Sequence, residues 1–316
     1  MIDFARTVLG PDGTPVQLPA KLFYENLSWL DVKEMPDKDR VVIVQPLGST
    51  EQHGPHGPLD MDSNNVRGTV PAAAHLANQR GTKVLVAPLL PYGWSIAHLD
   101  GQAAAEDAFP GTITISSQTY ISLLTEVCVC FTRAGFRRIA LVTGHGQNFF
   151  PAQLVAREVR FRTGAMVAVT APFLLAGAEL APMLEQGFLK HAEEFETSVS
   201  WAVDEDSINV QMLAEKRAPV DMESPQGTKF FKRDVLKSPG SAGAAFLSEQ
   251  FSEVSRGGVQ GNPHLASKEK GARYIGAMVE KLAGFLEFFA QIEYGQGRDT
   301  YIKSTLGVSA DTPVAR

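Results

Sequence analysis

The 316-residue chain has only two cysteines, Cys128 and Cys130, and they lie one residue apart within an apolar run. Cysteines at that spacing are poor disulfide partners, and cysteine pairs that bind a metal usually have more residues between them. Core thiols without a disulfide are typical of a reducing compartment, so we expect a cytoplasmic protein.

The sequence also lacks a long apolar run and an excess of basic residues. No stretch reaches the roughly 18–20 apolar residues of a membrane span, and the N-terminus has acidic and turn residues where a signal peptide needs an apolar core. The formal charge is −6, whereas nucleic-acid binding requires a clustered basic face. We therefore expect neither a membrane nor a nucleic-acid partner.

Short β-rich apolar runs alternate with longer amphipathic segments. Strands are predicted at 40–48, 83–90, 138–144 and 165–173, and helices at 64–80, 117–135, 148–163, 190–204 and 267–291. This alternation predicts parallel strands joined by crossover helices. We expect a single α/β domain over 40–292, with a mainly parallel central sheet flanked by helices. An N-terminal extension over 1–39 is expected to pack on it, and residues 293–316 form a tail.

The most polar loop follows the first predicted strand, in the stretch GSTEQHGPHGPLDMD. Proline and glycine interrupt it, so it is neither a helix nor a long strand. Glu51 and His53 are two residues apart, so their side chains point the same way on an extended backbone, and Asp62 can return after the Gly-Pro turns. His56 and Asp60 are candidates for orienting these groups by hydrogen bonds. The alternative is a polar turn with internally bonded carboxylates.

Two further histidines lie in polar settings. His145 follows the third predicted strand, in VTGHGQN, and His191 begins the acidic segment HAEEFETS. Loops at the carboxyl ends of parallel strands converge at one edge of a sheet, which favours a shared site over separate structural histidines. Carboxylates with imidazoles suit Zn, Mn or Fe rather than Ca or Mg. A carboxylate that bridges two ions favours hydrolysis by a bridging hydroxide.

The motifs PLGSTEQHGPHGPLDMD, VTGHGQN, HAEEFETS and GVQGNPHLASKEKG together resemble the creatininase family of metal-dependent amidohydrolases. The resemblance covers about 40–290, and the first motif is its most specific part. It implies an α/β fold, a dinuclear site of Zn, Mn or Fe and, in several members, a homohexamer. Members open cyclic amides such as creatinine, remove formyl groups from formylaminopyrimidines, or cut a peptide precursor of a redox cofactor.

Position by position, the resemblance implies five metal ligands: Glu51, His53, Asp62, His145 and Glu196. In this assignment Asp62 bridges two divalent ions. Glu51 and His145 complete the ligands of one ion. His53 and Glu196 complete those of the other. His191 is implied as the catalytic proton shuttle beside the leaving nitrogen.

The departures from the family pattern concern the substrate. Where creatininase follows its metal-binding histidine with an aromatic residue and a glutamate, this chain has Gly146 and Gln147. Members often carry Gly-x-Ser-x-Glu-His close to Phe-Pro-Gly-Thr, but here Ala97 replaces the glutamate and the insertion 99–108 follows, predicted as a helical flap. The candidate substrate-binding residues, of which the aromatic ones are equally well explained as core, are Trp94, Ser95, His98, Gln147 and Phe188.

The sequence therefore favours a two-metal amidohydrolase that cleaves a non-peptide carbon–nitrogen amide bond in a small molecule. The remodelled pocket predicts that creatinine itself is a poor substrate. A metal-dependent esterase or phosphoester hydrolase on the same site is the alternative enzyme. A non-catalytic scaffold that keeps metals for stability is the alternative from another class.

Overall fold

The structure, a computed structural model, describes residues 7–99, 109–220, 234–236, 245 and 248–293. Its strands are β1 (Thr7–Leu9), β2 (Pro15–Gln17), β3 (Val42–Leu47), β4 (Val84–Val86), β5 (Arg138–Thr143) and β6 (Met166–Thr170). Its α-helices are α1 (Trp29–Glu34), α2 (Met61–Gln79), α3 (Ser117–Arg133), α4 (Phe149–Thr163), α5 (Pro172–Leu175), α6 (Gly177–Leu180), α7 (Glu194–Val203), α8 (Val210–Ala214) and α9 (Lys268–Gln291).

The central sheet has the order β4-β3-β5-β6, and each neighbouring pair is parallel. The long central pairing runs from Val42 opposite Arg138 to Leu47 opposite Thr143. All four predicted strands are therefore confirmed, as is the α/β fold class. β4 is shorter than predicted because Pro88 cannot donate a ladder hydrogen bond, although Leu90 still donates to Pro46 at 3.1 Å.

Helices cover both faces of the sheet. Alternate strand residues face opposite layers, since side chains alternate across a strand. One layer contains α2 and α9 over Val42, Val44, Ala140 and Val142, and the other contains α3 and α4 over Ile43, Ile139 and Leu141. Burial on both faces explains why the strands are continuous apolar runs rather than alternating ones.

Two helix starts differ from the predicted ones by three or four residues, and both changes affect polar residues. α2 begins at Met61 rather than at 64, which puts Asp62 in its first turn. α7 begins at Glu194 rather than at 190, so the expectation that His191 begins the helix is wrong. Ala192 has a φ of +56°, a left-handed conformation that a continuing helix excludes. His191 instead pairs with Gln260 in an isolated β-bridge.

The N-terminal segment packs on the sheet layers, with Val8, Leu18, Leu22 and Phe23 in the α2–α9 core. The predicted flap (residues 100–108), most of the 221–247 loop and the tail from 294 onward lie outside the described residues. Among the described helices, none has the length and apolar character needed to cross a membrane.

Candidate metal centre

The polar loops meet at the carboxyl ends of β3 and β5. Glu51 and His53 follow β3, His145 follows β5, and Asp62 enters from the first turn of α2. Glu196 reaches the same place from the first turn of α7. The side chains of these residues are buried or nearly so, with Glu51 and His53 fully covered. The structure thus brings together all five residues that the sequence predicts as ligands.

The nitrogen and oxygen atoms of these side chains are spaced as donors around metal ions. His145 Nδ1 lies 3.2 Å from Glu51 Oε1 and 3.2 Å from Asp62 Oδ2. His53 Nε2 lies 3.8 Å from Asp62 Oδ1 and 3.7 Å from Glu196 Oε2. Two donors that each bind one ion at about 2.0–2.2 Å are themselves roughly 3–3.5 Å apart. The His145 distances fall in this range, and the His53 distances slightly exceed it.

Hydrogen bonds from outside the cluster determine which nitrogen of each imidazole faces it. His53 Nδ1 donates to the Glu51 carbonyl at 3.0 Å, which leaves the Nε2 lone pair facing the carboxylates. His145 Nε2 donates to the Trp94 carbonyl at 3.3 Å, which leaves Nδ1 facing them. Metal-binding histidines show this same arrangement, in which the other ring nitrogen donates to a carbonyl or carboxylate.

Several atoms that face the centre of the cluster have no hydrogen-bond partner. Within the described part of the chain these buried atoms include both carboxylate oxygens of Glu51, Asp62 Oδ2 and His53 Nε2. An unsatisfied buried polar atom costs about 1–3 kcal/mol, so four of them around one point require an explanation. Divalent cations would satisfy all four, and the nitrogen and carboxylate donors match Zn, Mn or Fe.

The electrostatics of the cluster also favour a cation. Burial raises the pKa of Asp62, and repulsion from Glu51 raises it further. Burial and then repulsion from Asp62 raise the pKa of Glu196 well above its usual value. Burial acts to raise the pKa of Glu51, but attraction to His145, His98 and His191 holds it well below normal. Carboxylates forced together in this way are relieved by a bound positive charge.

Two more imidazoles complete the cluster. His191 Nδ1 lies 3.7 Å from Glu51 Oε1 and 4.0 Å from Glu196 Oε2, and its ring stacks on His53 at 4.3 Å. His98 Nε2 lies 3.7 Å from Glu51 Oε1. The structure therefore brings both His191, predicted as catalytic, and His98, predicted to bind substrate, to the carboxylates.

The other predicted substrate residues are only partly at the site. Ser95 Oγ lies 3.2 Å from His145 Nε2 and 2.6 Å from Ser49 Oγ, so it supports a ligand. Trp94 contributes its carbonyl to His145 rather than its ring. In the described residues, no hydrogen bond or ring contact joins Gln147 or Phe188 to the cluster.

The two groups expected to orient ligands differ from each other. His56 Nε2 bonds Thr197 Oγ1 at 2.9 Å and so fixes α7 one residue after Glu196. Asp60 is half-exposed and pairs with Arg67. It therefore does not orient a ligand by any hydrogen bond found among the described residues, and that expectation is wrong.

Sequence reasoning missed two residues that shape the cluster. Gln52 Nε2 lies 3.3 Å from His98 Nδ1 and 3.2 Å from His191 Nε2. Phe251 stacks on His98 at 4.3 Å and contacts His191 at 4.7 Å. On an extended backbone the side chain of Gln52 points away from those of Glu51 and His53, so the sequence pattern predicts no role for it. Phe251 lies in a segment that contains no recognisable motif.

Comparison with known proteins identifies the family. A family model described as creatininase, creatinine amidohydrolase, matches residues 25–286. The chain belongs to the creatininase family. The mycofactocin precursor peptide peptidase of Mycobacterium tuberculosis is 30% identical over 249 residues, which are 75% of this chain and 81% of that protein. The 3-dehydro-scyllo-inosose hydrolase of Thermotoga maritima is 26% identical over 196 residues, which are 60% of this chain and 58% of that protein.

A solved structure shows the same fold. The crystal structure of a candidate creatinine amidohydrolase from Bacteroides fragilis superposes with a TM-score of 0.69 at 26% identity. The superposition covers 88% of this chain and 100% of that chain. These creatininase-family relatives are hydrolases by name, and their names differ in the substrate and in the bond that is cut.

Proposed function

We propose that this protein is a metal-dependent hydrolase that cleaves a carbon–nitrogen amide bond in a small molecule. The observation that carries the proposal is the set of buried donor atoms without a hydrogen-bond partner on Glu51, His53 and Asp62, which lie together in one cluster within the described residues. Two divalent ions, Zn or Mn or Fe, are the proposed cofactors. When bound, such ions supply a Lewis acid for the carbonyl and a water activated near neutral pH.

The donor set divides into two groups around Asp62. Asp62 Oδ2 faces His145 and Asp62 Oδ1 faces His53, so its two oxygens point to different imidazoles. This supports Asp62 as the bridging ligand. Glu51 with His145 forms one group, and His53 with Glu196 forms the other.

His191 is proposed as the proton carrier. Its Nε2 donates to the Gln52 carbonyl at 2.8 Å, which fixes the proton there and leaves the Nδ1 lone pair facing the cluster. Nδ1 can therefore accept a proton from the attacking water and give it to the departing nitrogen. The same lone pair also allows the competing role of metal ligand, so the metal content of a His191 variant decides between the two roles.

The surroundings of the cluster support a compact substrate. Phe251 lies against His98 and His191, and Phe109 meets Phe251 edge-on at 5.9 Å. Flat apolar rings beside buried donors suit a planar amide or ring. A Cβ added at Gly146 would meet no atom within 4 Å, so the position that is aromatic in creatininase is open here. We therefore propose a substrate bulkier than creatinine and poor turnover of creatinine.

Cleavage of a peptide bond is the second candidate function. The 30% identity to a peptidase favours it. Both candidates require the same metal site and differ only in the substrate that the pocket accepts. An esterase or phosphoester hydrolase, or a metal-stabilised scaffold without activity, remains the wider alternative.

A substrate screen tests these proposals. Purified protein loaded with Zn or Mn is incubated with cyclic ureides, lactams, formamides, creatinine, short peptides and esters, and amine release or ring opening is followed. Amide hydrolysis that stops with a chelator and returns with metal is the expected result. For the His191 variant, His75→Ala is the matched control, because His75 lies on α2 away from the cluster. Preference for peptides or esters would overturn the non-peptide assignment, and no metal-dependent hydrolysis would overturn the enzyme.

We further propose a homohexamer in the cytoplasm. The assembly is supported by the family resemblance, and the location by the two cysteines, which form no disulfide with each other. Light scattering after size exclusion measures the assembly, and a monomer at micromolar concentration would contradict it.

A further inference from the structure

The side-chain amide of Gln52 has a defined orientation. Its Oε1 accepts a hydrogen bond from the Gly54 N–H at 3.0 Å, so its NH₂ group must be the end that faces the two imidazoles. Gly258 packs against the same oxygen, since a Cβ added there would lie 2.2 Å from Gln52 Oε1. Turning the amide over would place two N–H groups against each other at Gly54.

This orientation determines the tautomer of His98. Gln52 Nε2 can only donate, so His98 Nδ1, 3.3 Å away, is the acceptor. A neutral imidazole carries one proton, and in His98 it must then be on Nε2. Nε2 is the nitrogen that faces Glu51 Oε1 at 3.7 Å. His98 therefore presents an N–H group to the cluster, whereas His53 and His145 present lone pairs.

The same residue sets the opposite tautomer in His191. Two atoms of Gln52 approach His191 Nε2, the main-chain carbonyl oxygen at 2.8 Å and the side-chain Nε2 at 3.2 Å. The carbonyl oxygen is closer and can only accept, so it takes the hydrogen bond from His191 Nε2, and the side-chain NH₂ group donates to His98 instead. His191 therefore has its proton on Nε2 and its lone pair on Nδ1, toward Glu51 and Glu196. One glutamine thus prepares one imidazole as a donor and its neighbour, 4.8 Å away between ring centres, as an acceptor.

We propose that His98 donates a hydrogen bond to the substrate and is not a metal ligand, and that Gln52 is the positioning residue that imposes this role. If His98 accepted a hydrogen bond at Nδ1 and also bound a metal at Nε2, its imidazole would carry no proton on either nitrogen and would be an anion. Phe251 stacks on His98 at 27° and so fixes the plane of the donor. The donor is suited to the oxygen that becomes negative when an amide carbonyl is attacked. The role in catalysis rests on the proposed function, but the tautomer does not.

The tautomer is measured first, without any assay of activity. Protein labelled with ¹⁵N-histidine is examined by long-range ¹H–¹⁵N correlation, metal-free and with Zn²⁺, because protonated and unprotonated ring nitrogens have well-separated shifts. His98 resonances are assigned by their loss in His98→Gln. The expected result is an unprotonated Nδ1 and a protonated Nε2 in both states. A protonated Nδ1, or an Nε2 shift that moves on Zn²⁺ binding as a ligand does, would overturn the proposal.

Gln52→Glu tests the positioning role. A carboxylate at this position still accepts from Gly54 but can no longer donate to His98, so the proton of His98 should move to Nδ1. Gln45→Glu is the matched control, because Gln45 is equally buried and donates to the Pro46 and Pro88 carbonyls away from the cluster. An unchanged His98 tautomer in Gln52→Glu would refute the positioning role.

Variants of His98 itself test the contact with substrate. His98→Gln keeps an N–H near the position of Nε2, whereas His98→Asn does not. Both should bind as much Zn²⁺ as the unchanged protein, by elemental analysis. Against the best amide of the screen, His98→Asn should lose about 10²–10³-fold in kcat, and His98→Gln should recover at least a tenfold part of it. Loss of one zinc equivalent in either variant would overturn the proposal. If the unchanged protein hydrolyses no amide, the proposed function fails while the NMR result still decides the tautomer.

Discussion

Asp62→Asn should change stability in opposite directions with and without metal. In the metal-free protein Asp62 is a buried carboxylate beside Glu51, and its Oδ2 has no hydrogen-bond partner within the described residues. Asparagine removes that charge, and with it the repulsion from Glu51 that raises the pKa of Asp62. Relief of one unsatisfied buried group should stabilise the metal-free protein by about 1–3 kcal/mol.

With metal bound, Asp62→Asn should instead lower the stability of the protein. A ligand at a free concentration of 100 times its Kd stabilises the folded state by about 2.7 kcal/mol, so two ions contribute about 5 kcal/mol. In a large domain 1 kcal/mol corresponds to about 2 °C in Tm, which predicts a rise of about 10 °C when metal is added to the unchanged protein. Asp62→Asn should lose most of that rise, because its amide would offer one oxygen where the proposed site needs two, one for each ion.

Thermal unfolding with EDTA and with added Zn²⁺ measures both effects in one experiment. Asp206→Asn, at an exposed position after α7, is the control for removing one aspartate charge, and its Tm should change by less than about 1 °C. A Tm of the unchanged protein that does not rise when Zn²⁺ is added would refute the proposed metal site. A full metal-dependent rise in the Tm of Asp62→Asn would refute the role of Asp62 as a shared ligand.

Three further outcomes are expected. His191→Ala should keep two metal ions and lose about 10²–10⁴-fold in turnover, and loss of a metal equivalent by elemental analysis would make it a ligand. His145→Ala should chiefly lose one of the two ions, and retention of both would contradict its assignment. Burial raises the pKa of Glu193 from its usual 4.5 to about 8. Its protonated form therefore contributes fully to the free energy of unfolding below pH 4.5, and this contribution is lost as the pH rises through 8. Glu193→Gln should therefore flatten the fall in unfolding free energy across that range in metal-free protein, and an unchanged pH profile would contradict this.

The sheet and the loops that carry most of the candidate site could be predicted from the sequence because they depend on short-range patterns, whereas the inclusion of Glu196 rests on the family resemblance. Buried parallel strands are continuous apolar runs, and their ends identify the loops that carry Glu51, His53 and His145. The role of Gln52 could not be predicted, since its amide is oriented by Gly54 and by Gly258, which is about 200 residues away in the chain.

The predicted start of α7 is wrong for a related reason. The acidic, helix-compatible residues after His191 suggest a helix that begins there. The left-handed backbone at Ala192 and the bridge from His191 to Gln260 depend on a distant segment. The same limit applies to Phe251, whose contact with His98 follows from packing and not from any local pattern.

The most direct test of the central claim is anomalous X-ray diffraction from crystals of the full chain grown with Mn²⁺. Data collected near the manganese edge should show two peaks roughly 3.5–4 Å apart, one on each side of Asp62. One should touch Glu51 and His145, and the other should touch His53 and Glu196. A single peak, or a peak bound to His98 Nε2, would contradict the two-metal site and the roles assigned around it.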